Sequence, residues 1–559
     1  MTVERRRGIP AARSVRSGAW SATARRCREL VAALVAITVT LIHVHPSAAR
    51  EASAAQRTRP PVGREHAASP VENPPDLRGE DALARVYDFI LDARFDQVDA
   101  ELRRACGPAP PEACDVLDAT ALWWRILLDP FSRTLDEEFL ASVERAIRST
   151  EEWTRRNPDD AEAWFYLGGA YATRVQFRVL RDDKLAAARD GKRIKHALER
   201  AVELAPGLDD AYFGIGLYKY YADVAPAGAR ILRFLLLLPG GDRDEGLEQM
   251  LRARNEGRLL QGEADYQLHL VYLWYERQTD RALELLRGLQ RRYPGNPLFL
   301  MQIAEIQDTY EHDVTRSLDT WRALLSMARE QRVNASGIAE VQARLGAARQ
   351  LEALHQTDHA IEQLQGITAA RPAAPYSSLG LAYLRLGEAY DRLGARPAAT
   401  AAYRSATTSA PPDDPFDIRG QAAERIRHRP DVRKADAYRL SLEGWRRLEK
   451  DDLPAASAAL ERSVALNPQD PVAHYRLGRV LQARRDDAGA LTQFELSIQG
   501  ARECPPPILA TAYLEAARLR ERAGERDQAI AWYRVASTLF GAAEETRNAA
   551  SRALARLSK

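Results

Sequence analysis

The segment from Tyr383 to Pro412 constrains the fold of this chain more than any other, because it reads as two helices packed against each other. Large and small residues recur there at spacings of three and four, which places them on one face of each helix. The first helix contributes Tyr383, Leu386, Gly387 and Tyr390, and the second contributes Ala399, Tyr403 and Ala406. Gly394 marks the turn, and Pro411 ends the unit. We therefore expect an antiparallel helix pair whose small residues allow close approach.

The same pattern recurs along the chain, which indicates a repeat. Further units contain Trp164, Leu167, Gly168 and Tyr171, and Leu477, Gly478, Ala490 and Phe494. The spacing resembles the tetratricopeptide repeat, in which W-x2-L-G-x2-Y is followed by alanine, an aromatic residue, alanine and proline over about 34 residues. The resemblance implies an all-α, right-handed superhelical solenoid of about eleven antiparallel helix pairs.

The repeats are predicted to form two blocks. The first block occupies residues 81–410, and the second occupies 436–559 and ends in a polar capping helix. The segment 411–435 is rich in proline and charge, so we expect a linker or an irregular connector there. Two units of the first block are longer than a normal repeat, and insertions are placed at about 172–192 and 222–240.

The N-terminal segment has the features of an export signal. Arginines crowd the residues before an apolar run at 30–44, and small residues follow that run. This order predicts a signal peptide over residues 1–49, with an uncleaved signal anchor through 30–44 as the alternative. Residues 50–79 contain proline and charge with little apolar content and are predicted to be a disordered linker. We expect a bacterial-type exported protein of the periplasm or cell envelope.

The charge balance argues against nucleic-acid binding. The chain has a formal net charge of +2, and residues 1–49 hold eight Arg and two Glu, so cleavage after them would leave a net charge of −4. Nucleic-acid binding depends on a basic face that neutralises phosphates. We therefore expect no nucleic-acid partner.

Two of the four cysteines lie close together in a segment rich in turn-forming residues. Cys106 and Cys114 enclose the sequence GPAPPEA between two helical patterns. An oxidising compartment would permit a disulfide bond between them, and two unpaired thiols are the alternative.

The second insertion contains the apolar sequence ARILRFLLLLP, which is too short to be a transmembrane helix. The arm at 225–239 could pack on the solenoid as core, line a ligand groove, or contact a membrane surface. The first insertion is basic, and its cations are Arg174, Arg178, Arg181, Lys184, Arg189, Lys192, Arg193 and Lys195. Acidic residues are interspersed with them, which favours a solvated helix face over an anion-binding patch.

The resemblance also implies a binding surface, because the first helices of successive repeats line the concave face. At two adjacent units this face would carry several aromatic side chains, which often anchor interfaces. The predicted partner-binding residues are Phe213, Leu217, Tyr220, Tyr221, Gln267, Val271, Trp274 and Tyr275. The alternative is that the inserted arm covers these side chains and makes them part of the core.

The sequence contains none of the common catalytic or nucleotide-binding motifs. His355 and His359 are four residues apart, but without a carboxylate or cysteine at motif spacing they are interpreted as a surface pair. We therefore expect no metal, no cofactor and no enzymatic activity. The leading hypothesis is an envelope scaffold that binds a protein or peptide. The alternative is a lipid- or ligand-handling accessory protein that uses the arm at 225–239.

Overall fold

The computed structural model describes residues 77–224 and 240–557, which form 24 helices and no strand. The predicted signal peptide, most of the predicted linker and the arm at 225–239 lie outside the described residues. In chain order the helices are α1 Glu80–Leu91, α2 Phe95–Ala105, α3 Pro111–Leu128, α4 Asp136–Arg156, α5 Ala161–Leu180, α6 Lys184–Leu204, α7 Ala211–Val224, α8 Arg243–Glu256, α9 Gln261–Trp274, α10 Thr279–Arg292, α11 Pro297–Thr309, α12 Val314–Arg329, α13 Ser336–Ala353, α14 Thr357–Ala370, α15 Ser378–Arg392, α16 Arg396–Ser409, α17 Ile418–Arg427, α18 Val432–Glu449, α19 Leu453–Leu466, α20 Pro471–Ala483, α21 Asp487–Gln499, α22 Pro506–Arg522, α23 Arg526–Thr538 and α24 Glu544–Leu557.

Consecutive helices pack as antiparallel pairs, from α1 with α2 to α15 with α16, and again from α18 with α19 to α22 with α23. The predicted all-α, right-handed solenoid is confirmed. Many second helices begin after an aspartate, such as Asp183, Asp313 and Asp452, whose side chain accepts a hydrogen bond from a backbone N–H of the first turn. This cap satisfies one of the N–H groups that the helix itself leaves unpaired.

The repeat glycine of the first helix lies against a large side chain of the second. A Cβ atom on Gly387 would lie 2.5 Å from the ring of Tyr403, and one on Gly478 would lie 2.7 Å from the ring of Phe494. Both rings are fully buried. The small residue on one helix therefore makes room for the aromatic residue on its partner, as the sequence pattern predicts.

The segments at 172–192 and 411–435, which depart from the repeat pattern, differ from each other in structure. Residues 172–192 lie in the last turns of α5, a short turn and the first turns of α6, so these two helices are longer than those of a standard repeat. The segment 411–435 contains the short helix α17, which buries Ile418 and Ala422. Helices α7 and α8 flank the arm and pack against each other.

Segments far apart in sequence also meet. Asp92 Oδ1 accepts a hydrogen bond of 2.7 Å from the Gly295 amide, and Asn296 Nδ2 donates one of 2.8 Å to the Leu91 carbonyl. The His312 ring lies 5.0 Å from that of Phe540. The solenoid is thus wound tightly enough for the first helix pair to contact the loop before α11. One continuous apolar core extends from Leu77 to Ile306.

None of the described helices combines the length and the apolar content that a membrane crossing requires.

Cys106 and Cys114 are joined by a disulfide bond with their Cα atoms 6.1 Å apart. It connects the end of α2 to the start of α3 across the turn. Among the described cysteines, Cys504 is free and buried.

Replacing both bonded cysteines by serine is expected to lower the free energy of unfolding by about 2–3 kcal/mol, because the bond restricts the unfolded chain. Urea unfolding under non-reducing conditions measures the change. Dithiothreitol should destabilise the wild type by a similar amount and leave the double variant unchanged. Equal stability of the two proteins without reductant would contradict the expectation.

Candidate binding cavity

A largely apolar cavity of about 190 Å³ lies inside the first block of repeats. Its walls come from the first helices α1, α3, α5, α7 and α9 and from the second helix α6. Glycines help to form the space. A Cβ atom on Gly191 of α6 would meet nothing within 4 Å, and one on Gly169 of α5 would approach only Val116, at 3.5 Å.

A buried carboxylate, Glu263 at the start of α9, forms part of the wall. It accepts hydrogen bonds from Trp124 Nε1 at 3.1 Å, Gln267 Nε2 at 3.2 Å and Tyr87 Oη at 3.4 Å. Burial raises the pKa of Glu263, and the three donors oppose that rise by stabilising the charged form. These bonds join helices α1, α3 and α9 through a single side chain.

Asp210 fixes the position of α9 relative to α7. Its carboxylate accepts hydrogen bonds from the backbone amides of Arg258, Leu259 and Leu260, at 2.9, 3.1 and 2.7 Å. These amides precede the first turn of α9. The two helices that contribute most of the predicted binding residues are therefore held in a defined arrangement.

Four residues of the cavity wall have a buried polar atom with no hydrogen-bond partner among the described residues. These atoms are Trp123 Nε1, Tyr166 Oη, Tyr221 Oη and Gln267 Oε1. Buried polar atoms are nearly always hydrogen-bonded in native proteins, so these four are exceptions, and with almost no accessible surface they lie behind the cavity surface.

The eight predicted partner-binding residues do not form one open groove. Five of them are buried, namely Phe213, Tyr220, Tyr221, Gln267 and Val271. Leu217, Trp274 and Tyr275 remain partly exposed. Four of the eight line the cavity, namely Phe213, Leu217, Tyr221 and Gln267. The structure thus brings half of the predicted set together, around an internal space.

Three of the predicted tyrosines form a cluster beside the cavity. The Tyr221 ring centroid lies 5.6 Å from those of Tyr220 and Tyr275, with edge-to-face geometry. Tyr220 donates to Glu276, which also accepts a 2.9 Å hydrogen bond from Arg243 Nε. Burial is the main cause that raises the pKa of each tyrosine, so all three hydroxyls remain protonated at neutral pH.

Several wall residues have no signal in the sequence. Trp123, Tyr166 and Glu263 belong to three different helix pairs, and their spacing within each helix suits an ordinary core face. They line one cavity because α3, α5 and α9 come together around it.

Four arginines of the basic segment of α5 and α6 are paired with carboxylates within the protein. The buried carboxylate of Asp190 accepts hydrogen bonds from Arg174 at 2.8 Å, from Arg193 at 3.0 Å, and from Arg178. Arg181 forms an ion pair with Asp136 of α4. These contacts hold α4, α5 and α6 together and leave this group of arginines paired.

The two histidines that are four residues apart do not form a surface pair. His355 is largely buried, and burial lowers its pKa to about 3. It lies at the end of α13, whereas His359 lies in α14 beside Arg446 Nη2, at 3.2 Å. In the described part of the chain, no group of three or more His, Cys, Asp or Glu side chains is arranged to hold a metal ion.

A second buried histidine predicts acid sensitivity. Burial lowers the pKa of His269 in α9 to about 3, whereas an unfolded histidine titrates near 6.5. Below pH 6.5 the unfolded state therefore binds a proton that the folded state does not, and stability falls as the pH falls. Between pH 7 and pH 5 this residue should lower the free energy of unfolding by about 2 kcal/mol. In urea unfolding, the free energy of unfolding of His269→Leu should fall less over that interval than that of the wild type. The exposed His428, changed to Leu, is the matched control, and an identical pH dependence of all three proteins would contradict the expectation.

Comparisons with known proteins agree with this repeat architecture. A family model described as tetratricopeptide repeat matches residues 140–177 and 442–506. No curated protein matches the chain.

Solved structures that match part of the chain include a tetratricopeptide repeat protein from Parabacteroides merdae, with 16% identity over 53% of this chain and 99% of that one and a TM-score of 0.24. The complex of the TPR2AB domain of yeast Sti1 with pHSP90 has 17% identity over 53% and 96% of the chains and a TM-score of 0.20. The human IFIT1 dimer with PPP-AAAA has 14% identity over 76% and 94% and a TM-score of 0.29. The family match lies on α4 and α5 and on helices from α18 to α21, so part of each block matches the tetratricopeptide repeat model.

Proposed function

We propose that this protein is a non-catalytic scaffold of the cell envelope or periplasm that binds a protein or peptide partner. The tetratricopeptide repeats support a role in protein interaction, because arrays of such repeats build extended binding surfaces. The basic flank and apolar run at 30–44 support export.

The proposed contact surface is the α7–α9 edge, defined by Leu217, Trp274 and Tyr275. The observation that carries this assignment is that these three predicted residues keep part of their side chains exposed while packing on the core. The contact between Tyr221 and Tyr275 joins the two helices. Partly exposed aromatic side chains on a rigid support are typical anchors of protein interfaces.

The partner proposal can be tested by placing a photoactivatable amino acid at Trp274 in the native cell envelope. A single dominant crosslinked protein is expected, and Leu217→Ala combined with Tyr275→Ala should abolish that adduct while circular dichroism stays unchanged. Phe540 is 67% exposed near the other end of the solenoid, and the same photoactivatable group there is the matched control. An adduct at position 540 but not at 274 would contradict the proposed surface.

Export can be tested separately by N-terminal sequencing of the protein from fractionated cells. A mature chain that begins close to residue 50 in the periplasmic fraction is expected. A chain that retains residues 30–44 in the membrane fraction would support the signal anchor instead. A full-length chain in the cytoplasmic fraction would contradict export.

A further inference from the structure

We propose that the cavity between α1, α3, α5, α6, α7 and α9 is a binding site for a small, uncharged and largely apolar molecule. This inference goes beyond the partner-binding role and does not depend on it. It rests on the size of the cavity, its largely apolar surface and the charges of its wall.

The size of the cavity suits a small ligand. Its volume of about 190 Å³ exceeds that of an engineered apolar cavity of about 150 Å³ that holds benzene. Protein interiors are close-packed, and voids larger than a water molecule are rare. A body of one or two rings, or a branched aliphatic chain of similar volume, would restore the missing contacts with the wall.

The accessible surface of the cavity defines what the ligand must carry. That surface is largely apolar. The four polar atoms without partners have almost no accessible surface, so a ligand that fills the space contacts mainly apolar wall atoms.

The charges of the wall disfavour anionic ligands. The charged residues among its described members are Asp210 and Glu263, and no Lys, Arg or His is among them. Both carboxylates are already held by hydrogen bonds within the protein. A fatty acid or a phosphate ester would therefore bring a negative charge toward two carboxyl groups without a cation to pair with.

Three naphthalene derivatives test these requirements with the full chain in calorimetric titrations. We expect 2-naphthol and naphthalene each to bind with one site per chain and with similar affinity, because the accessible wall is largely apolar. The anion 2-naphthoate should bind more weakly than either. Absence of 2-naphthol binding at millimolar concentrations would overturn the proposal and indicate that the cavity holds water only.

A pair of glycine variants locates the site. Gly191 and Gly288 both lie inside helices, and a Cβ atom on either meets nothing within 4 Å, but only Gly191 is among the residues that line the cavity. Gly191→Phe should therefore reduce 2-naphthol affinity at least about tenfold by filling the space, whereas Gly288→Phe should leave it unchanged. Equal loss in both variants, or none in Gly191→Phe, would overturn the assignment of the site.

Failure of the partner proposal would appear separately from failure of the cavity proposal, as missing adducts at position 274.

Discussion

Replacing Asp190 by asparagine is expected to lower the free energy of unfolding by about 3–5 kcal/mol. The Asp190 side chain is fully buried and accepts two hydrogen bonds of 2.8 Å from Arg174, one from each of two guanidinium nitrogens. Arg178 and Arg193 complete its contacts. Asparagine has nearly the same shape but no charge, and it presents an amide group to at least one arginine. The buried Arg174 would then lose its main counter-charge.

Chemical denaturation monitored by circular dichroism measures the effect, with hydrogen exchange to locate it on α4, α5 and α6. Asp182→Asn is the matched control, because Asp182 has a side chain 77% exposed and forms a surface pair with Lys184. Such pairs contribute little, so the control should behave like the wild type. Equal stability of Asp190→Asn and Asp182→Asn would contradict the central role of Asp190.

The sequence pattern could predict the contacts between residues that lie close together in the chain. Gly387 and Tyr403 are sixteen positions apart, and the spacing of three and four on each helix is enough to pair them. The interspersed acidic residues also indicated that the basic segment of α5 and α6 is not simply an anion-binding patch. The spacing of large and small residues recurs from one helix pair to the next, so each pair supports the interpretation of its neighbours.

The cavity could not be predicted in the same way. Trp124 and Glu263 are hydrogen-bonded across 139 positions, and Tyr87 reaches Glu263 across 176. These contacts depend on how tightly the solenoid winds, which is set by small rotations between successive repeats. Gln267 is buried beside Glu263, to which α1 and α3 both donate. Tyr221 is buried against the rings of Tyr220 and Tyr275. The sequence predicts both residues as part of a partner-binding concave face, and their burial depends on contacts that the repeat pattern does not specify.

The second large effect is expected at Gly216, where Ala should lower the free energy of unfolding by at least about 2 kcal/mol. A Cβ atom at this position would lie 2.6 Å from the Gly246 carbonyl oxygen and 2.9 Å from the Met250 amide nitrogen. Conversely, a Cβ atom on Gly246 would lie 2.5 Å from the Tyr220 amide nitrogen. Helices α7 and α8 are therefore in backbone contact, and backbone atoms cannot move aside as a flexible side chain can.

Gly288→Ala is the control for Gly216→Ala, because it makes the same change inside a helix with open space around the new methyl group. It should raise the free energy of unfolding by about 0.5–1 kcal/mol through the higher helix propensity of alanine. Thermal and urea denaturation measure the opposite changes in the free energy of unfolding of the two variants. Hydrogen exchange should show faster opening of α7 and α8 in Gly216→Ala alone.

Since these helices flank residues 225–239 and α7 carries Leu217 and Tyr221, Gly216→Ala should also weaken 2-naphthol binding. Stabilisation by Gly216→Ala would mean that α7 and α8 are further apart than the structure places them, and the wall of the cavity that α7 forms would have to be redrawn.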